Sequence, residues 1–581
     1  MTKPIITRPR LVAPARAQEL KQSAEGMPSQ VLKDRELCDL ELILNGGFAP
    51  LAGFMTQVEY ESVLQAMRLP TGHLWTLPVC LDIPAALTEK LAPGMSLALR
   101  DEEGFMLAAL KIESIWKPDR ETEAEVVFGT RSPAHPGVAR LLERKDWYCV
   151  GGPIEGIALP DHFDFDRVRH TPAELRAEFT RRGWKRVVAF HTSKPMHRVH
   201  RDLTLDAARA ADAGLLIHPA VGTTKPGDLL CHARVHCYEA MLAHYPSDTA
   251  MLSLLPASLR MAGPREAVHN AIVRCNYGCT HMIVGPDHAS PPETRDGGAR
   301  FYGPYAAQEF AARYAHEIGI EIVPVREQRY VPERKAFVPV AAIEAEGLVS
   351  EHFTDRELRG ALSHDRPVPE WFSFPEVIET LRRVYPPRSK QGLCLFFTGL
   401  SGAGKSTIAR VLYAKFLEQG GRSVTLLDGD VVRHNLSQEL GFSKRDRDIN
   451  VRRIGYVAAE IVKNGGIAIC APIAPYAVTR RAVRDMVEAY GAFVEVYVST
   501  PIETCEARDR KGLYARARKG LIPEFTGVSD PYEEPTDSEL IINASKTSAI
   551  QAAHLILTHL RDHQFCELPE RGSTLSAKCG N

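Results

Sequence analysis

The sequence contains no run of about 18 apolar residues, so it reads as a chain without a membrane span. It has no excess of either charge, with 71 Lys and Arg against 72 Asp and Glu. A chain so balanced projects no field that would gather nucleic acid or an anionic membrane. Its twelve cysteines form no C-x-x-C pair, and several lie in apolar runs, such as Cys394 in "LCLFF" and Cys470 in "IAICAPI". That pattern favours buried thiols in a reducing compartment over a disulfide framework, and with it a cytoplasmic location. The N-terminal "MTKPIITRPRLVAPARAQEL" is basic but lacks the apolar core of a secretory signal. Internal repeats and low-complexity blocks are missing too.

What is present divides along the chain. At 581 residues the protein is too long for one core. Residues 1–165 show short apolar runs ("LWTLPVCLDI", "FMLAALKIESIW") broken by Pro and Gly, which suggests a mostly β domain. Over 166–325, strand-like runs ("RVVAF", "GLLIHPAV", "TAMLSLLP", "HMIVG") alternate with helical stretches, the pattern of a parallel α/β fold. A smaller segment, 326–385, ends in the linker-like "RRVYPPRSKQG". Residues 386–565 alternate strand and helix again, and 566–581 read as a polar tail.

The strongest motif is "LCLFFTGLSGAGKSTIARVLYAKFLEQG", an apolar strand, then Gly399-x-x-x-x-Gly404-Lys405-Ser406, then an amphipathic helix. Glycines let backbone N–H groups close around phosphate oxygens, and the helix N-terminus adds partial positive charge. The loop Gly399, Ser401, Gly402, Ala403, Gly404, Lys405, Ser406, Thr407 is therefore expected to bind ATP, with Lys405 on the β/γ-phosphates and the Ser406 hydroxyl on Mg²⁺. A second strand, "SVTLLDGD", ends in Asp428 and Asp430, placed to hold Mg²⁺ or to take a proton from an attacking hydroxyl.

From "LDGDVVRHNLSQELGFSKRDRDINVRRIG" through "APIAPY", "RDRKGLYARARKG" and "FTGVSDPYE", the chain resembles adenylylsulfate (APS) kinase over about 170 residues. That family phosphorylates the 3′-hydroxyl of APS, giving 3′-phosphoadenylylsulfate (PAPS). The resemblance implies Asp430 as the base, supported by Asp428. It implies Arg433, Arg447 and Asn450 as anchors for APS, with Ile473 and Ala474 beside it and Lys511 on a closing lid. Phe442 and Phe525 resemble the pair that holds the adenine. Fork-shaped guanidinium groups suit a phosphosulfate anion and aromatic faces suit a purine. Ala474 departs from the serine that many relatives carry.

The middle of the chain resembles ATP sulfurylase, which makes APS from ATP and sulfate, with a PUA-like domain before it. "LLIHPAVGTTKPGD", "LLPASLRMAGPREA" and "NYGCTHMIVGPDHA" carry that likeness. The implied architecture is an α/β multidomain protein: a PUA-like β domain, a Rossmann-like nucleotidyltransferase domain and a P-loop kinase with a parallel sheet. The family's active sequence has the form Q-x-R-N-P-x-H-x-x-H, with a second block G-R-D-H-A-G. Here these read "HTSKPMHRVH" and "GPDHAS". His197, His200, Asp287 and His288 are kept, whereas His191, Ser193 and Lys194 replace Gln, Arg and Asn, and Pro286 replaces the second Arg. Sulfate is a dianion and a poor nucleophile, and losing two guanidinium donors is expected to slow its transfer by roughly 10³ or more.

The primary expectation is a Mg²⁺-dependent APS kinase fused to a sulfurylase-like domain of lost or much reduced activity. Its partners are ATP, APS and PAPS, and it forms a homo-oligomer, a dimer or a hexamer. Three alternatives stay open: a bifunctional enzyme in which Lys194 and His191 bind sulfate, a kinase for another small hydroxyl acceptor, and an RNA-binding N-terminal module. A zinc site at Cys231, His232, His236 and Cys237 lacks a recognised spacing.

Overall fold

The structure, a computed structural model, describes residues 9–222, 231–291, 300–509 and 512–566. It divides into two compact units: the chain through Thr354 with Val368–Val384, and Asp355–Pro367 with the chain from Tyr385 onward.

In the first unit, seven short strands form one sheet: β1 (Ser29–Val31), β2 (Gly53–Phe54), β3 (Leu81–Ile83), β4 (Ser96–Arg100), β5 (Met106–Lys111), β6 (Ser114–Trp116) and β7 (Tyr148–Gly156). The order is β1-β4-β5-β7-β2, with β3 and β6 also paired to β7. Helices Pro14–Ser23, Asp34–Asn45, Gln57–Ala66, Arg120–Phe128 and Pro136–Leu142 join these strands. The short apolar runs did not announce these helices. In Asp34–Asn45 the buried residues run almost unbroken, so the helical period is blurred.

A second, fully parallel sheet follows: β8 (Val187–Phe190), β9 (Gly214–Ile217), β10 (Ala250–Leu252), β11 (His281–Val284) and β12 (Glu321–Pro324), in the order β10-β9-β8-β11-β12. All four residues of β8, β9 and β11 are buried. A parallel strand covered by helices on both faces must be apolar throughout, which is why these runs stood out. The order reverses between β8 and β11. Loops after the carboxyl ends of two such strands border the crevice where α/β sheets bind ligands. Those loops are 191–197 and 285–290.

The break expected at residue 165 is a boundary of the chain and not of the core. Leu42, Phe54 and Leu99 share one buried cluster with Val187, Met282 and Val284. Arg260 donates to both carboxylate oxygens of buried Asp39 at 2.7 and 2.8 Å. Asn276 Nδ2 donates to the carbonyls of Gly47 and Ala49. A hairpin, β13 (Gln328–Val331) with β14 (Ala336–Pro339), and helix Pro375–Val384 complete this unit.

The second unit is built on β15 (Leu393–Thr398), β16 (Val424–Asp428), β17 (Ile467–Ala471), β18 (Ala492–Val498) and β19 (Leu540–Ile542), all parallel, in the order β16-β17-β15-β18-β19. Leu393, Leu395 and Phe397 face one core and Cys394 and Phe396 the other, the period-two alternation of a strand buried on both sides. Asp355–Ser363, expected in the small sulfurylase segment, groups with this unit. Cys566, expected in the polar tail, is 6% exposed and packs in the core, where an apolar thiol gains from burial. Among the described residues no helix is long and apolar enough to cross a membrane. Residues 1–8 of the basic N-terminus, 223–230 (the "TTKPGD" of the sulfurylase-like block and the two leucines after it), Lys511 and the tail from 567 lie outside the described residues.

Candidate active sites

In the second unit, β15 runs directly into the phosphate-type loop. Gly399, Gly402 and Gly404 take φ of 141°, 74° and 110°, a region closed to most side chains. At Gly399 an added Cβ would also lie 2.6 Å from the Val498 carbonyl. Helix Lys405–Gln419 starts at once, so its first N–H groups point into the loop. Lys405 is 6% exposed, and its ammonium donates to the carbonyls of Gly399 and Leu400 at 2.8 Å each. Thr398, closing β15, donates its hydroxyl to the carbonyls of Ile473 and Ala474. That bond ties the loop to the segment after β17.

Asp428 ends β16 and caps helix Gly429–Leu436, accepting from the Asp430 N–H at 3.1 Å. Its other oxygen, Oδ2, is buried with no hydrogen-bond partner, as is Asn450 Oδ1. Buried orphan oxygens are costly in a folded chain, and here both belong to residues expected to meet substrate. Asp430 is exposed. Arg433 donates to the carbonyls of Leu440 and Gly441, and its guanidinium lies 4.4 Å over the ring of Phe442. Burial draws Arg433 below the usual guanidinium range.

Arg447, 8% exposed, pairs with Asp530 at 3.0 Å and donates to the Thr526 hydroxyl. Tyr476 donates to the same carboxylate at 2.8 Å. Phe525 packs edge-on against Tyr514 at 5.1 Å, and Tyr514 donates to the Ser401 carbonyl. Phe442 and Phe525 thus rest on separate partners. A cavity of about 740 Å³ runs past Leu400, Ser499, Gly527, Asp530 and Tyr532, within the size range of ligand sites.

Residue-by-residue reading missed Thr526, Asp530 and Tyr532, although all three stand inside the quoted "FTGVSDPYE". It also missed Arg508, which donates to the Ala544 carbonyl at 2.8 Å. An added Cβ on Gly404 would lie 3.3 Å from Ala544 and 3.9 Å from the Arg508 guanidinium, so both flank the loop.

In the first unit, the turn after β8 sorts its residues onto two sides. His191 Nδ1 accepts from Arg274 at 2.9 Å, and its ring meets His288 at 5.5 Å. Arg274 also donates to Asn270 Oδ1 at 2.8 Å, and Asn270 Nδ2 lies 3.3 Å from His288 Nε2. Burial and the Arg274 charge hold His288 down at about 4 and His191 well below the ordinary imidazole range. On the other side, His197 sits before helix Arg198–Ala210 with Nδ1 2.9 Å from the Ser373 hydroxyl and its ring 4.4 Å from Phe372. The His197 N–H donates to His200 Nδ1 at 3.1 Å.

Ser193 meets this site through its carbonyl, which accepts from Arg234 at 3.1 Å. Lys194 has an exposed side chain, and its carbonyl accepts from the Tyr238 hydroxyl at 2.9 Å. After β11, Pro286 leads into Asp287 and Ala289, both left-handed at φ 54° and 55°. Such conformations cost about 1 kcal/mol each and gather at functional turns. Asp287 pairs with Arg300 at 2.9 Å. Among the described residues, no group of three His, Cys, Asp or Glu could hold a metal ion, Cys231 and its neighbours included.

A phosphate-type loop on a five-stranded parallel sheet, in a chain whose other unit sets polar loops at the switch point of a second parallel sheet, defines a nucleotide-handling enzyme of two α/β units. Family models match in three stretches: PUA-like domain over residues 6–159, ATP-sulfurylase over 166–384 and adenylylsulphate kinase over 391–543. Sulfate adenylyltransferase of Emericella nidulans is 48% identical over 95% of this chain and 96% of its own length. The Neurospora crassa protein of the same name is 46% identical over 93% and 95%. The solved structure of a hexameric APS kinase from Thiobacillus denitrificans is 38% identical, with a TM-score of 0.78 over 96% of this chain and 98% of that one. The chain belongs to the family that joins an ATP-sulfurylase domain and an adenylylsulfate kinase domain behind a PUA-like N-terminus.

Proposed function

We propose that the working activity of this chain is transfer of the ATP γ-phosphoryl group to the 3′-hydroxyl of APS, giving PAPS and ADP. Its sulfurylase-like domain transfers sulfate poorly or not at all. The observation that carries the first half is the loop from Gly399 to Thr407, in which buried Lys405 donates to the carbonyls of Gly399 and Leu400. Lys405 neutralises the β/γ-phosphates, Arg508 and Ala544 border the nucleotide base, and Asp430 takes the 3′-hydroxyl proton with Asp428 beside it. Arg433, Arg447 and Asn450 bind the phosphosulfate end, where paired guanidinium bonds suit the anion. Ser406 and the unpartnered Asp428 Oδ2 form a donor set that fits Mg²⁺. Bound there, the ion would offset charge on the transferring phosphoryl group.

The second half rests on Ser193 and Pro286, which place no cation where the resembled family has arginine. The Thiobacillus protein, similar along nearly the whole chain, is named an APS kinase and supports this reading. The fungal relatives bear the name sulfate adenylyltransferase and favour the bifunctional alternative. Two assays decide between them: PAPS formation from ATP and added APS, and sulfate-dependent exchange of pyrophosphate into ATP. PAPS formation is expected with exchange at least about 10³-fold below an ordinary enzymatic rate. Ser193→Arg with Pro286→Arg should raise the exchange, and an ordinary rate in the unmodified chain would overturn the loss.

Arg447→Met should lower kcat/KM for APS by roughly 30-fold, the effect of about 2 kcal/mol from one buried charged contact, and leave KM for ATP within threefold. Steady-state kinetics with each substrate varied in turn checks this. A homo-oligomer is part of the proposal, supported by the hexameric Thiobacillus protein. Sedimentation velocity would read its size.

A further inference from the structure

After β17 the chain turns through residues 473–476 and enters helix Ala477–Glu488. Ala474 in that turn is 1% exposed and left-handed at φ 46°. This region is unfavourable for a residue with a Cβ, and a residue before a proline, here Pro475, prefers extended backbone. Such a conformation persists only where its surroundings hold it. Two donors converge on the Ala474 carbonyl, the Thr398 hydroxyl at 3.1 Å and Arg480 Nη1 at 3.0 Å. Thr398 also donates to the Ile473 carbonyl at 2.8 Å, and the Gly399 N–H donates to the same carbonyl at 3.2 Å.

Arg480 lies in that helix and is 4% exposed. A guanidinium so buried needs a counter-charge. Glu495 on β18, equally buried, supplies it. Nε and Oε1 stand 3.1 Å apart, an ion pair without hydrogen-bond alignment. Glu495 is fixed in turn: its N–H donates to Glu539 Oε2 at 2.7 Å, and Arg484 binds both oxygens of Glu539. The pair is thus a brace from β18 to one carbonyl. The braced turn has two functional neighbours. Through Thr398 and Gly399 it meets the start of the phosphate loop. Through Tyr476, which donates to Asp530, it meets the carboxylate that pairs with Arg447. Alanine carries no side-chain donor, so what position 474 offers a polar ligand comes from its backbone.

Resting on the reading that this unit transfers phosphate to APS, we infer that Arg480, held by Glu495, is a positioning residue for APS. It fixes the Ala474 peptide, and with it the 473–476 turn between the phosphate loop and Arg447. It acts through that carbonyl rather than on a reacting atom.

The test is steady-state PAPS formation by the full chain, with each substrate varied in turn and thermal unfolding followed alongside. Arg480→Met is expected to raise KM for APS by about tenfold or more, as the loss of a buried charged contact does, with KM for ATP within threefold. Arg480→Lys keeps the charge beside Glu495 but lacks the fork that also reaches the carbonyl. Its KM for APS should rise at least threefold and stay below that of Arg480→Met. Glycine takes a left-handed φ without a brace. Ala474→Gly added to the Arg480→Met chain should therefore bring KM for APS back by at least threefold. An arginine that only stabilises the fold would lower the unfolding temperature and leave both KM values unmoved. Should Arg480→Met fail to fold, Arg480→Lys carries the test. An unchanged KM for APS in a folded Arg480 variant, an equal rise for both substrates, or no recovery with glycine overturns the inference. No PAPS from the unmodified chain overturns instead the reading on which it rests, so the two can fail separately.

Discussion

Lys405→Ala is expected to lower PAPS formation from ATP and APS by about 10²–10³-fold, the usual effect of removing one preorganised donor from a developing anion. The reason lies in where the ammonium already sits. It is buried and 2.8 Å from two loop carbonyls, so it is held at the mouth of the loop by the loop itself. A charge placed before substrate arrives needs little reorganisation during transfer. Lys405→Arg should not rescue the rate, because a planar fork cannot follow the path of a flexible stem between those carbonyls. The measurement is initial rate with both substrates saturating, to separate transfer from binding. A loss of less than threefold would remove this loop from the reaction.

The sulfurylase-like region is expected to lose stability as pH falls from about 6.5 towards 4. His288 is held at about 4 and His269 at about 3, while His191 and His218 lie well below the ordinary range. Burial is the largest cause for all four, and the Arg274 charge faces each of them. A ring whose pKa is lowered by folding is protonated first in the unfolded chain. Stability is therefore complete above about 6.5 and declines as pH drops through the interval down to the folded value. For His288 alone the decline approaches about 3 kcal/mol by pH 4, from the gap between about 6.5 and about 4. All five tryptophans, Trp75, Trp116, Trp147, Trp184 and Trp371, belong to the unit that holds these rings. Urea unfolding followed by tryptophan fluorescence at pH 7.5, 5.5 and 4.5 thus reads that unit selectively. A midpoint unchanged across this range would mean that the imidazoles gain protons freely in the folded chain.

Much of both parallel sheets was legible, because strands covered on two faces must be apolar from end to end. "RVVAF" and "LCLFF" could hardly be anything else between helical stretches. The phosphate-type loop was legible because strand, glycine spacing and helix must occur together to form it. Arg274 and Asn270 were not, since each reads as an ordinary polar residue of a helical stretch more than 70 positions after His191. Only the fold shows that the replacement at His191 faces a guanidinium. The common core of the PUA-like and sulfurylase regions was equally hidden. Composition shifts mark where a chain changes habit, whereas cores merge wherever apolar faces meet. Phe442 and Phe525 were legible as aromatic residues in the right motifs, but not their separate partners, Arg433 and Tyr514.

The path of the chain between the units has a practical consequence. It leaves the first unit at residue 354, returns at 368 and leaves again after 384. One scissile bond therefore cannot yield both halves intact. A cut before residue 355 sends 368–384, with Ser373 and Phe372, away with the kinase, taking from His197 two of the side chains packed against it. A cut after 384 strands 355–367 on the other fragment. Expressing the kinase alone means choosing which residues to forfeit, and a single proteolytic nick at either junction is a lesion to one partner rather than a clean separation of two.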